Sequence, residues 1–177
     1  MPVATISNTD SNTAVIEAYS DEKPIVLVVD DEISILNALK RSLGKTGVEV
    51  VTANTAADAL YILENTEVSL IISDMRMPGM DGADLMSKVA QESPDTIRFL
   101  LSGHSDMEAT IRAINEGHIH QYLTKPWNDV ELRALVETTL HTHLLEFNNR
   151  QLKQELMLKN RQIDELKHLL KQKEGES

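Results

Sequence analysis

Ile25-Val26-Leu27-Val28-Val29-Asp30-Asp31 is the stretch on which the fold turns. Its apolar part has strand length, is β-branched except at Leu27, and does not alternate with polar residues. That is the pattern of a strand buried on both faces. Two carboxylates follow at once. The same arrangement returns along the chain: Val68 to Ser73 precedes Asp74, Thr96 to Leu101 precedes Ser102, and Ile119 to Leu123 precedes Lys125-Pro126. Val48 to Ala53 reads as a further, weaker strand. In an open parallel sheet, ligands bind at the carboxyl ends of the strands. Three carboxylates, a hydroxyl and an ammonium are therefore expected at one end of one sheet.

Helical patterns fill the gaps. Apolar residues at Ile33, Ile35, Leu36, Leu39 and Leu43 make one helical face, which Gly44 or Gly47 can end. Asn54 is the expected cap of a helix carrying Ala56, Ala57, Leu60 and Leu63. After the turn forced by Pro78-Gly79, Asp81 opens a helix with Leu85, Met86 and Val89. Ser105 or Asp106 caps another with Met107, Ile111 and Ile114, closed at Gly117, and a last helix starts near Asn128. Strands alternating with helices predict an α/β domain, with a parallel sheet covered on both faces.

Composition narrows the function. The chain has 177 residues, a formal net charge of -11, and only 3% aromatic residues, so the core is aliphatic. The acidic balance argues against direct nucleic-acid binding, which needs basic clusters to meet phosphates. With no cysteine, disulfides and Cys-ligated zinc are excluded. His118 and His120 lack the partners a zinc site needs, and with His141 and His143 they read as surface or interhelix residues. No apolar run has membrane-spanning length and no signal peptide is recognisable, so a cytoplasmic protein with no membrane partner is expected.

Three regions follow from the pattern. Residues 1–22, rich in Ser, Thr, Asn and Asp, are expected to be a disordered tail. Residues 23–143 hold the α/β domain, and residues 144–177 continue its last helix. From Asn128 to Lys173 there is neither Pro nor Gly. Leu145, Asn149, Leu152, Leu156, Lys159, Ile163, Leu166 and Leu170 are spaced alternately four and three apart. That spacing keeps one seam turned to a partner helix and predicts a parallel homodimeric coiled coil through residues 145–170. Asn149 at an a position can pair with its symmetry mate, while Lys159 at d weakens the middle. The competing readings are a helix folded back on its own domain and a helix feeding an output domain of a longer regulator.

The strand-end residues have a joint chemistry. Carboxylates from neighbouring strands repel unless a cation sits among them. Mg²⁺ takes hard oxygen ligands and keeps some waters. Asp31 and Asp74, with the backbone carbonyl of Arg76, fit that need, and Asp30 can ligate directly or through water. A carboxylate beside such an ion is a competent nucleophile towards a phosphoryl group, and Asp74 is the candidate. Lys125 supplies a positive charge and Ser102 a donor to the phosphoryl oxygens. Pro126 stiffens the lysine loop, and the bond before it is a candidate for the cis form.

These motifs are carried by VLVVDDE, ISDMRMPGMDG, LSG and YLTKPW, in that order. Over about residues 24–143 the chain resembles the receiver domain of two-component response regulators. The resemblance implies a flavodoxin-like domain with five parallel strands in the order 2-1-3-4-5. It implies Asp74 as phospho-acceptor, Asp30 and Asp31 as the acidic pocket for Mg²⁺, and Lys125 as the phosphate-pairing lysine. Ser102 becomes the switch hydroxyl and Tyr122 the switch aromatic. The phosphoryl group would come from a sensor histidine kinase or a phosphotransfer protein, so the chain is expected to signal rather than to turn over a substrate. Gly103 stands where the family commonly has Ala, and Arg76 and His104 occupy places that tune dephosphorylation. Two other classes compete. A Mg²⁺-dependent phosphohydrolase would carry a second Asp where Arg76 stands, and would need a cap domain. An inert receiver-like coiled-coil adaptor would have no use for the full acidic set.

Overall fold

The computed structural model describes residues 23–103 and 118–175, together with Ile111, Ile114 and Glu116. The expectations for residues 1–22, for His104, and for most of the helix ending at Gly117 lie outside the described residues. In chain order the elements are β1 (Ile25–Val29), α1 (Ile33–Leu43), β2 (Glu49–Ala53), α2 (Ala56–Asn65), β3 (Leu70–Asp74), α3 (Gly82–Glu92), β4 (Ile97–Ser102), β5 (Gln121–Thr124) and α4 (Asp129–Gly175). The strands form one five-stranded sheet in the order β2-β1-β3-β4-β5, as the resemblance implied. Every neighbouring pair is parallel.

The central strands β1, β3 and β4 are buried on both faces because they are covered on both. Val26, Val28, Ile72, Phe99 and Leu101 point to one side, where they meet Leu36, Leu39 and Leu43 of α1 and Leu132, Val136 and Leu140 of α4. Leu27, Val29, Ile71 and Leu100 point to the other, against Ala59 of α2 and Leu85, Met86 and Val89 of α3. Full burial of one such aliphatic side chain stabilises the fold by about 1.5–3 kcal/mol.

Local signals fix most element ends. Gly44 closes α1, as read from the sequence, its N–H reaching the Lys40 carbonyl at 2.9 Å. Asp81 caps α3 through the Asp84 N–H at 2.8 Å. The cap of α2 is Thr55, not the expected Asn54: the Thr55 hydroxyl accepts the Asp58 N–H at 3.1 Å. β3 and β4 each run one residue further than the sequence pattern suggested, so Asp74 and Ser102 are the last residues of their strands.

α4 has 47 residues. The Asn128 side chain starts it by accepting the N–H groups of Val130 at 2.9 Å and Glu131 at 3.2 Å. Packing divides the chain after Leu140, and His141–Ser177 forms a unit of its own. From Asn149 to Gln172 every residue of that unit is exposed.

Candidate functional site

Strand pairing brings the acidic groups together. β1 and β3 are neighbours, with Val29 in register with Ser73, so Asp30 and Asp74 leave the sheet side by side. Asp74 is also in register with Leu101, and Ser102 with Thr124, so β4 and β5 bring Ser102 and Lys125 to the same edge. The Lys125 N–H closes that edge on the Ser102 carbonyl at 2.9 Å.

Lys125 is the meeting point. Its Nζ lies 2.8 Å from Asp74 Oδ1 and 3.0 Å from Asp30 Oδ2. The other oxygens are held by main chain. Asp74 Oδ2 accepts the Arg76 N–H at 3.1 Å, and Asp30 Oδ1 accepts the Glu32 N–H at 2.8 Å. Asp30 and Asp74 are buried, whereas Asp31 is exposed. A ligand oxygen from each of Asp30, Asp31 and Asp74 lies within 4.8 Å of the others. The Lys125–Pro126 peptide bond is cis.

The charges do not balance. Burial pushes the Asp74 carboxyl above the usual carboxylate range, and the neighbouring Asp30 charge adds to this. The hydrogen bond and charge of Lys125 oppose the shift without cancelling it. For Lys125 burial works downward, but its contacts with Asp74 and Asp30 outweigh that and raise it above the ordinary lysine value. The causes differ, burial for Asp74 and its two carboxylate partners for Lys125, but the geometry is shared: a single ammonium serves two carboxylates, with a third at the rim. Such a group is short of positive charge, and its donors are all hard oxygens. Both properties fit a divalent cation such as Mg²⁺.

The remaining expected residues lie around this centre. Ser102 is 4% exposed at the end of β4, and Tyr122 is 42% exposed on β5. The Arg76 side chain is exposed, and its loop contributes the amide that holds Asp74. His118 and His120 stand elsewhere: His120 Nδ1 accepts the Arg98 N–H at 3.1 Å, and His118 pairs with Glu116 at 3.5 Å.

Sequence reasoning missed three residues. Ser73 donates its hydroxyl to the Asp74 carbonyl at 2.9 Å. Gly82 donates its N–H to the Met75 carbonyl at 2.9 Å, closing the loop after Asp74. Arg98, in an otherwise apolar strand, is 93% buried by its 7% exposure. Its guanidinium donates to the carbonyls of His118 at 2.7 Å, Thr96 at 2.8 Å and Pro94 at 3.2 Å. A charged residue inside a strand run was the available signal for Arg98. Ser73 and Gly82 lie inside the quoted ISDMRMPGMDG motif, but no role was read for either.

Known proteins share this arrangement. Residues 26–137 match the response regulator receiver domain family, and the chain belongs to that family. It is similar to the hydrogenase transcriptional regulatory protein HoxA of Cupriavidus necator, at 40% identity over 108 residues, 61% of this chain and 22% of that protein. It is also similar to the DNA-binding transcriptional regulator NtrC of Escherichia coli, at 36% identity over 119 residues, 67% of this chain and 25% of that protein. The chain thus spans about a quarter of the length of these curated relatives. Among solved structures, the signal receiver domain of an HD domain-containing protein from Pseudomonas fluorescens Pf-5 is 38% identical with a TM-score of 0.66, covering 69% of this chain and 98% of that one. A protein from Neptuniibacter caesariensis is 43% identical with a TM-score of 0.68, covering 71% and 93%. Family membership and the acidic cluster together make the α/β body a phosphoryl-accepting receiver of two-component signalling. No helix among the described residues is long and apolar enough to cross a membrane.

Proposed function

We propose that Asp74 is the phospho-acceptor of this receiver, and that α4 carries the signal into a parallel homodimeric coiled coil. Asp74 attacks the phosphorus of a phosphohistidine on a sensor kinase or phosphotransfer protein. The P–N bond breaks, the imidazole leaves, and an acyl phosphate remains on Asp74. Asp30, Asp31, Asp74 and the Arg76 carbonyl would hold Mg²⁺, which supplies charge neutralisation for the phosphoryl oxygens when bound. Lys125 donates to the phosphoryl group from the other side, and Ser102 supplies a hydroxyl donor. The single observation carrying this reading is the Lys125 ammonium 2.8 Å from Asp74 and 3.0 Å from Asp30, with Asp31 at the rim of the same group.

The switch follows from charge. Phosphorylation adds oxygens that compete for Lys125 and Ser102. Tyr122, outward at 42% exposure, is the aromatic that this reading expects to turn inward. The lysine loop leads within three residues to Asn128, the cap of α4, so a change at Lys125 reaches the helix start directly.

The domain division of the proposal is a tail at residues 1–22, a receiver at 23–143 and a coiled-coil helix at 144–177, acting in the cytoplasm. Support for the dimer comes from the heptad spacing and from the exposure of Leu152 (66%), Leu156 (60%), Leu166 (60%) and Leu170 (61%). The curated relatives are transcriptional regulators by name, and the helix is here read as the link to such an output. The test is solution mass with and without beryllofluoride plus Mg²⁺, on the full chain and on a chain ending at His143. The reading expects Mg²⁺-dependent beryllofluoride binding in both and a dimer only in the full chain. No binding in either, or equal mass states in both, contradicts it.

A further inference from the structure

Asp74 is gripped by its own main chain as well as by its carboxylate. Its peptide lies between two clamps. On the β4 side the Met75 N–H reaches the Leu101 carbonyl at 2.8 Å. On the other side the first residue of α3, Gly82, lies against the Asp74 carbonyl. The Gly82 N–H takes the Met75 carbonyl at 2.9 Å, and the Ser73 hydroxyl takes the Asp74 carbonyl, also at 2.9 Å. A Cβ placed on Gly82 would fall inside the van der Waals envelope of the Asp74 carbonyl oxygen. It would also stand 3.0 Å from the Asp74 carbonyl carbon and 2.8 Å from Leu100 Cδ1. The leucine is a flexible side-chain end and can yield. The carbonyl belongs to a β-strand and cannot yield without carrying Asp74 with it.

We propose that Gly82 is a positioning residue for phosphoryl transfer. The absence of its side chain lets α3 close directly on the Asp74 peptide and so fixes the aim of the Asp74 carboxylate at Lys125 and the Arg76 amide. This rests on the reading of Asp74 as the acceptor and adds a requirement remote from the carboxylate itself. Gly82 has no reactive group and touches no phosphoryl oxygen; it acts through the Asp74 backbone. Backbone approach this close is one of the uses for which glycine is selected. A misplacement on the order of 1 Å at a reacting group costs about 100-fold in rate.

The experiment measures phosphate uptake by the full chain from acetyl phosphate with saturating Mg²⁺, well below the melting temperature. Wild type, Gly82→Ala, Gly82→Ala with Leu100→Ala, Ser73→Ala and Asp74→Asn are compared. Gly82→Ala is expected to lower the maximal rate roughly 10- to 100-fold, with little change in the half-saturating acetyl phosphate concentration. A purely structural role would lower the melting temperature and leave the maximal rate of the folded protein intact. Making room at Leu100 is expected not to restore the rate. A wild-type maximal rate in Gly82→Ala, or rescue by Leu100→Ala, overturns the proposal. Should Gly82→Ala fail to fold, Ser73→Ala decides: it loosens the same carbonyl and is expected to slow uptake several-fold, and an unchanged rate overturns the proposal. Failure of the underlying reading looks different, since either wild type takes up no phosphate or Asp74→Asn takes up as much.

Discussion

The α/β body up to Leu140 and the helical unit from His141 onward solve opposite problems. In the body, apolar side chains find partners within the chain: Leu27, Leu39, Leu70 and Leu100 are at most 1% exposed. What is left incompletely matched there is charge, with three carboxylates around one lysine. In the helical unit two lysines are paired locally, Lys159 with Glu155 at 3.0 Å and Lys167 with Asp164 at 4.0 Å, while the leucines are not buried. Among the described residues, one region thus lacks a counter-charge and the other an apolar partner. Under the proposed function the first need is met by a divalent cation, the second by a helix of like pattern.

The comparison breaks most sharply at Asp74. Asp74→Asn is expected to reduce phosphate uptake at least about 100-fold, because the nucleophile itself is gone, measured as label retained after rapid quenching. In the helical unit, Leu156→Asp places a carboxylate in a central seam layer. Dimer dissociation should rise at least about 100-fold, roughly 3 kcal/mol, as expected when a charge is buried without a partner, and analytical ultracentrifugation measures it. Lys159→Leu moves the same quantity the other way. It removes a like-charge layer from the seam and is expected to tighten the dimer about tenfold, the scale of one buried aliphatic side chain.

Charge mismatch in the body also has a pH signature. The folded-state pKa of Asp74 is raised, so the native chain keeps that proton to higher pH than the unfolded chain does. Its contribution favours folding below the unfolded-chain value and is lost as pH rises through the folded value. In Mg²⁺-free buffer, Asp74→Asn should therefore melt above wild type at neutral pH, with the gap closing as pH falls towards the ordinary carboxyl value of 3.8. Thermal melts from neutral to acid pH measure it, and a gap that widens in acid would show that Lys125 dominates the site. The smallest effect belongs to Asn128→Ala, which removes the cap from Val130 and Glu131 and should cost about 1 kcal/mol in denaturant unfolding.

Much of this was legible in the residues. The strand runs followed by Asp30, Asp74, Ser102 and Lys125 were legible as strands of one parallel sheet with these residues at one edge, because period and terminal polarity are local properties of a parallel strand. The strand order came only from the family resemblance, since equal runs carry no label for their neighbours. Thr55 in place of Asn54 as the cap of α2 is a choice between adjacent capping residues that only backbone geometry settles. Arg98 was read as part of an apolar strand, and its burial depends on three carbonyls that converge from Pro94, Thr96 and His118. Gly82 ends the quoted ISDMRMPGMDG motif, yet its role was not legible for a different reason: a missing side chain has meaning only beside the atom it leaves room for.

Intact-mass analysis of the full chain after incubation with acetyl phosphate and Mg²⁺ tests the central claim most directly. A gain of one phosphoryl group per chain is expected, dependent on Mg²⁺, labile to hydroxylamine as an acyl phosphate is, and absent from Asp74→Asn. A chain that gains nothing with Mg²⁺ present, or an adduct that survives the Asp74→Asn substitution, would contradict it.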